Sequence, residues 1–130
     1  MPIKEIPLIY DIKYDPEKEC IFVTFDGRVT MSLVREYIAA LLPVLEETDC
    51  RRLLSDCCKA EILLSSSDIM QFPKIAAESP LTARLKRAVV ATPGTSGYEL
   101  YETLSKVMGQ QLRVFKEREE ALEWLMEDSC

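Results

Sequence analysis

The chemistry open to this chain is narrowed first by what it lacks: none of its 130 residues is histidine. That removes the commonest general base, the usual nitrogen ligand for metals, and every nucleophile that works through an imidazole. Gly94 and Gly97 are not followed by Gly-Lys-Ser/Thr, so there is no phosphate-cradling Walker loop, and no Gly-x-Gly-x-x-Gly fingerprint occurs. Carboxylates are plentiful, but Asp15, Glu17 and Glu19 sit in a turn, while Glu119, Glu120 and Glu123 lie on a terminal helix. Both groups read as solvated faces rather than acid-base pairs. The residues therefore specify no catalytic centre and no cofactor.

Five cysteines (Cys20, Cys50, Cys57, Cys58, Cys130) form an odd set without a Cys-x-x-Cys pair, which points to reduced thiols in the cytoplasm. Adjacent residues of a strand point to opposite faces, so a Cys57-Cys58 disulfide would need a distorted backbone. Without histidine, the spacing of Cys50, Cys57 and Cys58 matches no zinc knuckle, and no metal is expected.

Two polar segments remain. Ser65, Ser66, Ser67 and Asp68 form a cluster of helix-capping residues. Thr92-Pro93-Gly94-Thr95-Ser96-Gly97-Tyr98 offers backbone N–H groups at a helix start with the hydroxyls of Thr92, Thr95 and Ser96, a candidate site for a small anion or polar ligand. The simpler reading is a Pro93-Gly94 turn with Ser96 as cap. In a parallel sheet ligands meet the carboxyl ends of the strands, which would bring Asp56 and the segment from Thr92 to Tyr98 together as a ligand or partner surface.

These residues need elements to position them. Tyr10, Ile12 and Tyr14 alternate with Asp11 and Lys13, the period of a half-exposed strand, and the turn Asp15-Pro16-Glu17-Lys18-Glu19 leads to the β-branched and aromatic run Cys20 to Phe25. This is an antiparallel hairpin closed by Asp26-Gly27. Thr30 caps a first helix with Leu33, Tyr37, Ile38, Leu41 and Leu45 on one stripe, and Pro43 inside it predicts a kink or an early stop. A strand from Arg51 to Asp56 runs into Cys57-Cys58-Lys59-Ala60, and a short second helix carries Ile69, Phe72 and Ala76 with Pro73 inside or at its end. Glu78 to Thr82 reads as a loop. Lys86 to Thr92 is a buried strand, Leu100, Tyr101, Leu104, Val107 and Met108 mark a third helix stopped by Gly109, and Gln111 to Phe115 is a last strand. A final helix spans Glu117 to Glu127. The order β-β-α-β-α-β-α-β-α predicts a mixed, mostly parallel five-stranded sheet with four helices, joined by right-handed crossovers.

A chain of this length fits one domain, residues 1–130, and can bury roughly two-thirds of its unfolded surface. Its hydrophobic fraction of 48% and charged fraction of 29% are those of a globular protein. A net charge of −6 argues against a general nucleic-acid binder. The small basic clusters Arg51-Arg52 and Arg84-Leu85-Lys86-Arg87 read as solvated flanks of strands first, with an anion site as the alternative. The first residues show no secretory signal pattern, and no run approaches the roughly 18 apolar residues of a membrane span.

The hairpin running into Phe25-Asp26-Gly27-Arg28-Val29-Thr30, the strand ending in Asp56, and the ending from Arg113-Val114-Phe115 through Glu123-Trp124-Leu125 together resemble a STAS-like domain. This is the fold of anti-sigma-factor antagonists and sulphate-transporter tails, and the likeness is greatest to its uncharacterised stand-alone bacterial members. It extends from about Leu8 to Leu125. The resemblance implies helices concentrated on one side of the sheet and a regulatory role exerted by docking a protein around the second helix. Family antagonists carry Asp-Ser-Ser-Gly at that helix start, with a serine phosphorylated as a switch. The matching Leu63-Leu64-Ser65-Ser66-Ser67-Asp68 keeps serines without the preceding Asp or the Gly, leaving Ser65, Ser66 and Ser67 as candidate switch residues and, first of all, as caps. A helix-poor sheet face would need cover from a second copy of the chain or an apolar ligand, with Phe22, Thr24, Tyr10, Ile12 and Tyr14 as the candidate homodimer surface. The expected function is a non-catalytic protein-interaction or regulatory module. The alternative is a carrier or sensor of a small apolar or anionic ligand, with Tyr37, Phe72, Tyr98 and Tyr101 lining its pocket.

Overall fold

The computed structural model describes residues 9–92 and 97–127. Strands β1 (Tyr10–Asp15) and β2 (Cys20–Val29) form the antiparallel hairpin, and β3 (Arg52–Ile62), β4 (Lys86–Val90) and β5 (Leu112–Phe115) follow in parallel. The five lie side by side in chain order. Around them pack α1 (Met31–Thr48), α2 (Ser66–Ala77), α3 (Pro80–Ala83), α4 (Tyr98–Val107) and α5 (Arg118–Met126). The mixed, mostly parallel five-stranded α/β sheet expected from sequence is the one observed.

Right-handed crossovers between parallel strands laid down in one direction must all pass over the same face. That face carries α1 to α4. Ile21, Val23 and Phe25 of β2 and Leu53 of β3 pack there with Val34, Tyr37, Leu41 and Leu45 of α1, extended by Phe72 of α2 and Leu81 of α3. Val89, Ala91 and Leu112 continue the layer under Tyr98 and Tyr101 of α4. Helix α5 follows the last strand and makes no crossover, so it is free to cover the other face. Ala121 and Leu125 seal Cys20, Leu54, Ala88 and Val90 there, with Trp124 against Phe115.

Four departures from the sequence expectations have local causes. Residues Pro80–Ala83 form a one-turn helix instead of a loop, giving five helices among the described residues, because Pro80 sits where a missing N–H is harmless and Ser79 Oγ accepts from Leu81 N at 3.2 Å. Helix α1 continues through Pro43 without an early stop. A single lost donor is outweighed by the buried stripe Val34, Tyr37, Leu41 and Leu45, which anchors the helix on both sides of the proline. Strands β2 and β3 outrun their expected ends: Asp26 to Val29 pair with Lys59 to Ile62 after a register shift between Thr24 and Asp26, where β3 carries one extra residue. Lastly, β1 pairs Tyr10, Ile12 and Tyr14 with Phe25, Val23 and Ile21, so these three face α1. Phe22 and Thr24 instead sit opposite Lys13 and Asp11 on the other face. The expected dimer surface is thus divided between two faces, and α5 already shields part of the second.

Leu125 has no exposed surface and anchors α5. Leu125→Ala should cost about 3 kcal/mol in urea unfolding, through lost burial and the cavity left behind. The midpoint should fall while the slope stays unchanged.

Candidate functional site

All five residues of β4 are buried, because α5 covers one face and α2 and α4 approach the other. A strand with period two must therefore send Lys86 and Arg87, adjacent in sequence, into opposite layers. Lys86 enters the α5 layer, where Nζ donates to the carbonyls of Trp124 at 2.5 Å and Glu127 at 3.1 Å and stands 4.5 Å from the Trp124 ring centre. A cation there satisfies the orphan carbonyls of the helix end. Arg87, only 7% exposed, enters the other layer. Its Nη1 donates to Tyr101 Oη at 2.8 Å and its Nη2 to Gln110 Oε1 at 2.6 Å. Gln110 is fixed in turn, its Nε2 donating to the Pro73 carbonyl at 2.7 Å, so its oxygen must face the guanidinium. This corrects the reading of Lys86 and Arg87 as solvated flanks: the strand is covered on both sides, and the cations are buried with it.

Arg87 borders a cavity of about 140 Å³ between the sheet and helices α1, α2 and α4. Tyr37, Phe72, Tyr98 and Tyr101 all line it, as do Ser55, Cys57 and a ring of aliphatic side chains. Edge contacts stiffen the aromatic walls: Tyr37 stands 5.0 Å from Phe25, and Phe72 stands 5.4 Å from Tyr101 between ring centres. Arg87 is the one charged residue among the described residues lining the space. None of the ion pairs among the described residues involves it, and its Nε–H has no partner. The buried hydroxyls of Tyr37 and Tyr98 also complete no hydrogen bond, although Ser55 and Cys57 stand beside them.

Burial raises the pKa of Tyr37, Tyr98 and Tyr101, for Tyr101 against the opposing pull of Arg87, so the hydroxyls keep their protons at neutral pH. Burial also pushes the Cys57 thiol up to about 11, partly offset by Tyr98. Cys57 is thus a neutral, weakly polar wall rather than a ready nucleophile. Its neighbour Cys58 is exposed, as the strand alternation requires.

The other candidate residues are dispersed. Asp56 points toward α5, where Oδ2 meets Arg118 Nη1 at 3.3 Å, whereas Tyr98 lies on the cavity side. The sheet separates the two. Thr92 is exposed just beyond β4, while Thr95 and Ser96, and Cys130 at the terminus, lie outside the described residues. Gly97 opens α4 at φ 97°, and a Cβ there would collide with Ile69 of α2. Ser65 caps α2: its Oγ accepts from Asp68 N at 3.1 Å, and Asp68 Oδ2 accepts from Ser65 N at 3.0 Å. Ser66 and Ser67 are exposed on the first turn. Gln110 was not legible as a site residue, and Arg87 only as part of a basic cluster whose second reading was an anion site. The available signal was two cations at the head of a fully apolar strand, which alternation must bury one on each side.

No known family's sequence model matches the chain, and no curated protein matches it in sequence. Its fold is shared with a solved structure, an uncharacterised protein of the DUF3478 family from Shewanella loihica PV-4 described as having a SpoIIAA-like fold. The two superpose with a TM-score of 0.64 over 95% of this chain and 99% of the other, at 14% sequence identity. The chain therefore has the SpoIIAA-like fold, that of STAS domains and anti-sigma-factor antagonists.

Removing the α2 cap in Ser65→Ala should cost about 1 kcal/mol, whereas Ser66→Ala, which breaks no hydrogen bond of the cap, should leave the thermal midpoint within error. A second expectation concerns alkaline pH. Burial holds Cys20 at about 12 and Cys57 at about 11 against an ordinary 9.0, so both bind protons more tightly folded than unfolded. Their contribution is complete below pH 9 and is lost as pH rises through 11 and 12. Denaturant midpoints should begin to fall above pH 9, and less steeply in Cys57→Ala.

Proposed function

We propose that this chain is a non-catalytic binding module that holds one small, mainly apolar molecule in the cavity between the sheet and α1, α2 and α4. The observation that carries this reading is the cavity itself: about 140 Å³ lined by five aromatic rings and aliphatic side chains, with polar atoms at a few points only. Ligand sites are commonly apolar hollows with a few fixed polar groups. The volume is close to the ~150 Å³ of an apolar protein cavity that accepts benzene, so the occupant would be a single ring or a short chain. A binding rather than catalytic role is supported by the described lining residues, which include no carboxylate, and whose thiol, Cys57, is protonated at neutral pH. The free thiols of Cys20, Cys50, Cys57 and Cys58 suit a reducing, cytoplasmic setting.

The SpoIIAA-like fold favours a second reading, a regulatory module that docks a protein partner. Its support is the fold, together with exposed Ser66 and Ser67 on the first turn of α2. The cavity reading comes first because it rests on side chains of this chain.

Titrating ¹⁵N-labelled protein with benzene should shift the amide signals of cavity residues such as Val89 and Leu112 and raise the thermal midpoint, since a ligand at 100 times its Kd stabilises by about 2.7 kcal/mol. Ala76→Met, which extends a side chain into the space from α2, should abolish the response while the protein stays folded. An unchanged spectrum of the wild-type protein with saturating benzene would sink the reading.

A further inference from the structure

We infer that the molecule held in the cavity is a small ionised carboxylic acid, its carboxylate paired with Arg87 and its apolar body against the aromatic and aliphatic walls. This rests on the reading of the cavity as a ligand site and names the class of ligand.

The argument begins with the unbalanced charge. A buried guanidinium is expected to face a carboxylate or phosphate, because desolvation of a charge is offset only by an opposite charge in good geometry. Arg87 has neither. Its two partners, Tyr101 and Gln110, are neutral, and they engage two of the five N–H groups that a guanidinium carries. They orient the cation without neutralising it. Gln110, anchored on the Pro73 carbonyl, locks one side of the fork, and Tyr101 locks another. The Nε–H remains without an acceptor, on a side chain that lines the cavity.

The lining also determines which anion. No Asp or Glu lies among the described lining residues to repel a negative charge. The hydroxyls of Tyr37 and Tyr98, buried beside Ser55 and Cys57, belong to lining residues and carry no charge at neutral pH. One guanidinium balances one negative charge, so a carboxylate closes the site electrically, whereas a phosphate dianion would leave excess charge among apolar walls. The volume of about 140 Å³ limits the whole molecule, carboxylate included, to about a single ring or a short aliphatic chain. Benzoate and hexanoate have this size and this charge.

Calorimetric titration of the wild-type protein at pH 7 with benzoate, benzamide and benzene provides the test, repeated with hexanoate and hexanamide for a chain in place of a ring. The expected result is that the acid of at least one pair binds ten-fold or more tightly than its amide. In Arg87→Met, which keeps the length of the side chain and removes its charge, that preference should disappear while benzene still binds. Amides that bind as well as the acids, with benzene also bound, would overturn the carboxylate inference and leave the cavity reading standing. A protein that binds none of the five would overturn both. If Arg87→Met fails to fold, the comparison of acid and amide in the wild-type protein decides the matter alone.

Discussion

Strand β4 is covered on both faces, and its alternation imposes the arrangement of everything around it. Ala88 and Val90 must face α5, and Arg87 and Val89 must face the helices that precede β5. The two cations at its start are divided in the same way. Lys86 reaches the carbonyl end of α5 and holds that helix by its last turn, while Arg87 is drawn into the layer between the sheet and α4. A strand of five residues thus fixes the position of one helix and the electrostatics of the cavity beneath the others.

The cavity follows from topology. Three successive crossovers in one direction place α1, α2 and α4 over one face, and α1 and α4 cover opposite ends of the sheet. Between them α2 must span the gap, with α3 turning the chain back toward β4. Proline at position 73 leaves α2 one backbone donor short, while the Pro73 carbonyl receives Gln110 Nε2. Close packing of α2 against α4 is possible at Gly97 because no side chain there opposes Ile69. The space left over is bounded by rings that are held edge to face and cannot collapse freely into it.

Against this apolar background the buried guanidinium is the most demanding group in the molecule. Its neutral partners settle its direction, and no carboxylate stands among the described lining residues. The same surroundings keep Tyr37, Tyr98, Tyr101 and Cys57 protonated, and all four belong to the chain's own cavity lining. The fold it shares with the Shewanella protein positions the elements, and the residues of this chain furnish the chemistry.

Much of this architecture is determined locally, and so was legible in the residues. The hairpin, the β4 run, the Thr30 and Ser65 caps and the stripe of α1 each depend on side-chain period or a cap within a few positions. The chain's lack of histidine is likewise a property of composition alone. The ends of β2 and β3 were not legible, because they depend on each other across a register shift, nor was the survival of α1 past Pro43, which depends on burial. The site was legible only in part. Tyr37, Phe72, Tyr98 and Tyr101 could be named as candidate lining, but Asp56 and Tyr98 are separated by the sheet, and Arg87 meets Gln110 across 23 positions. Local sequence sets which face of an element is apolar, whereas only the packing of distant elements decides which polar group is left inside without its counter-charge.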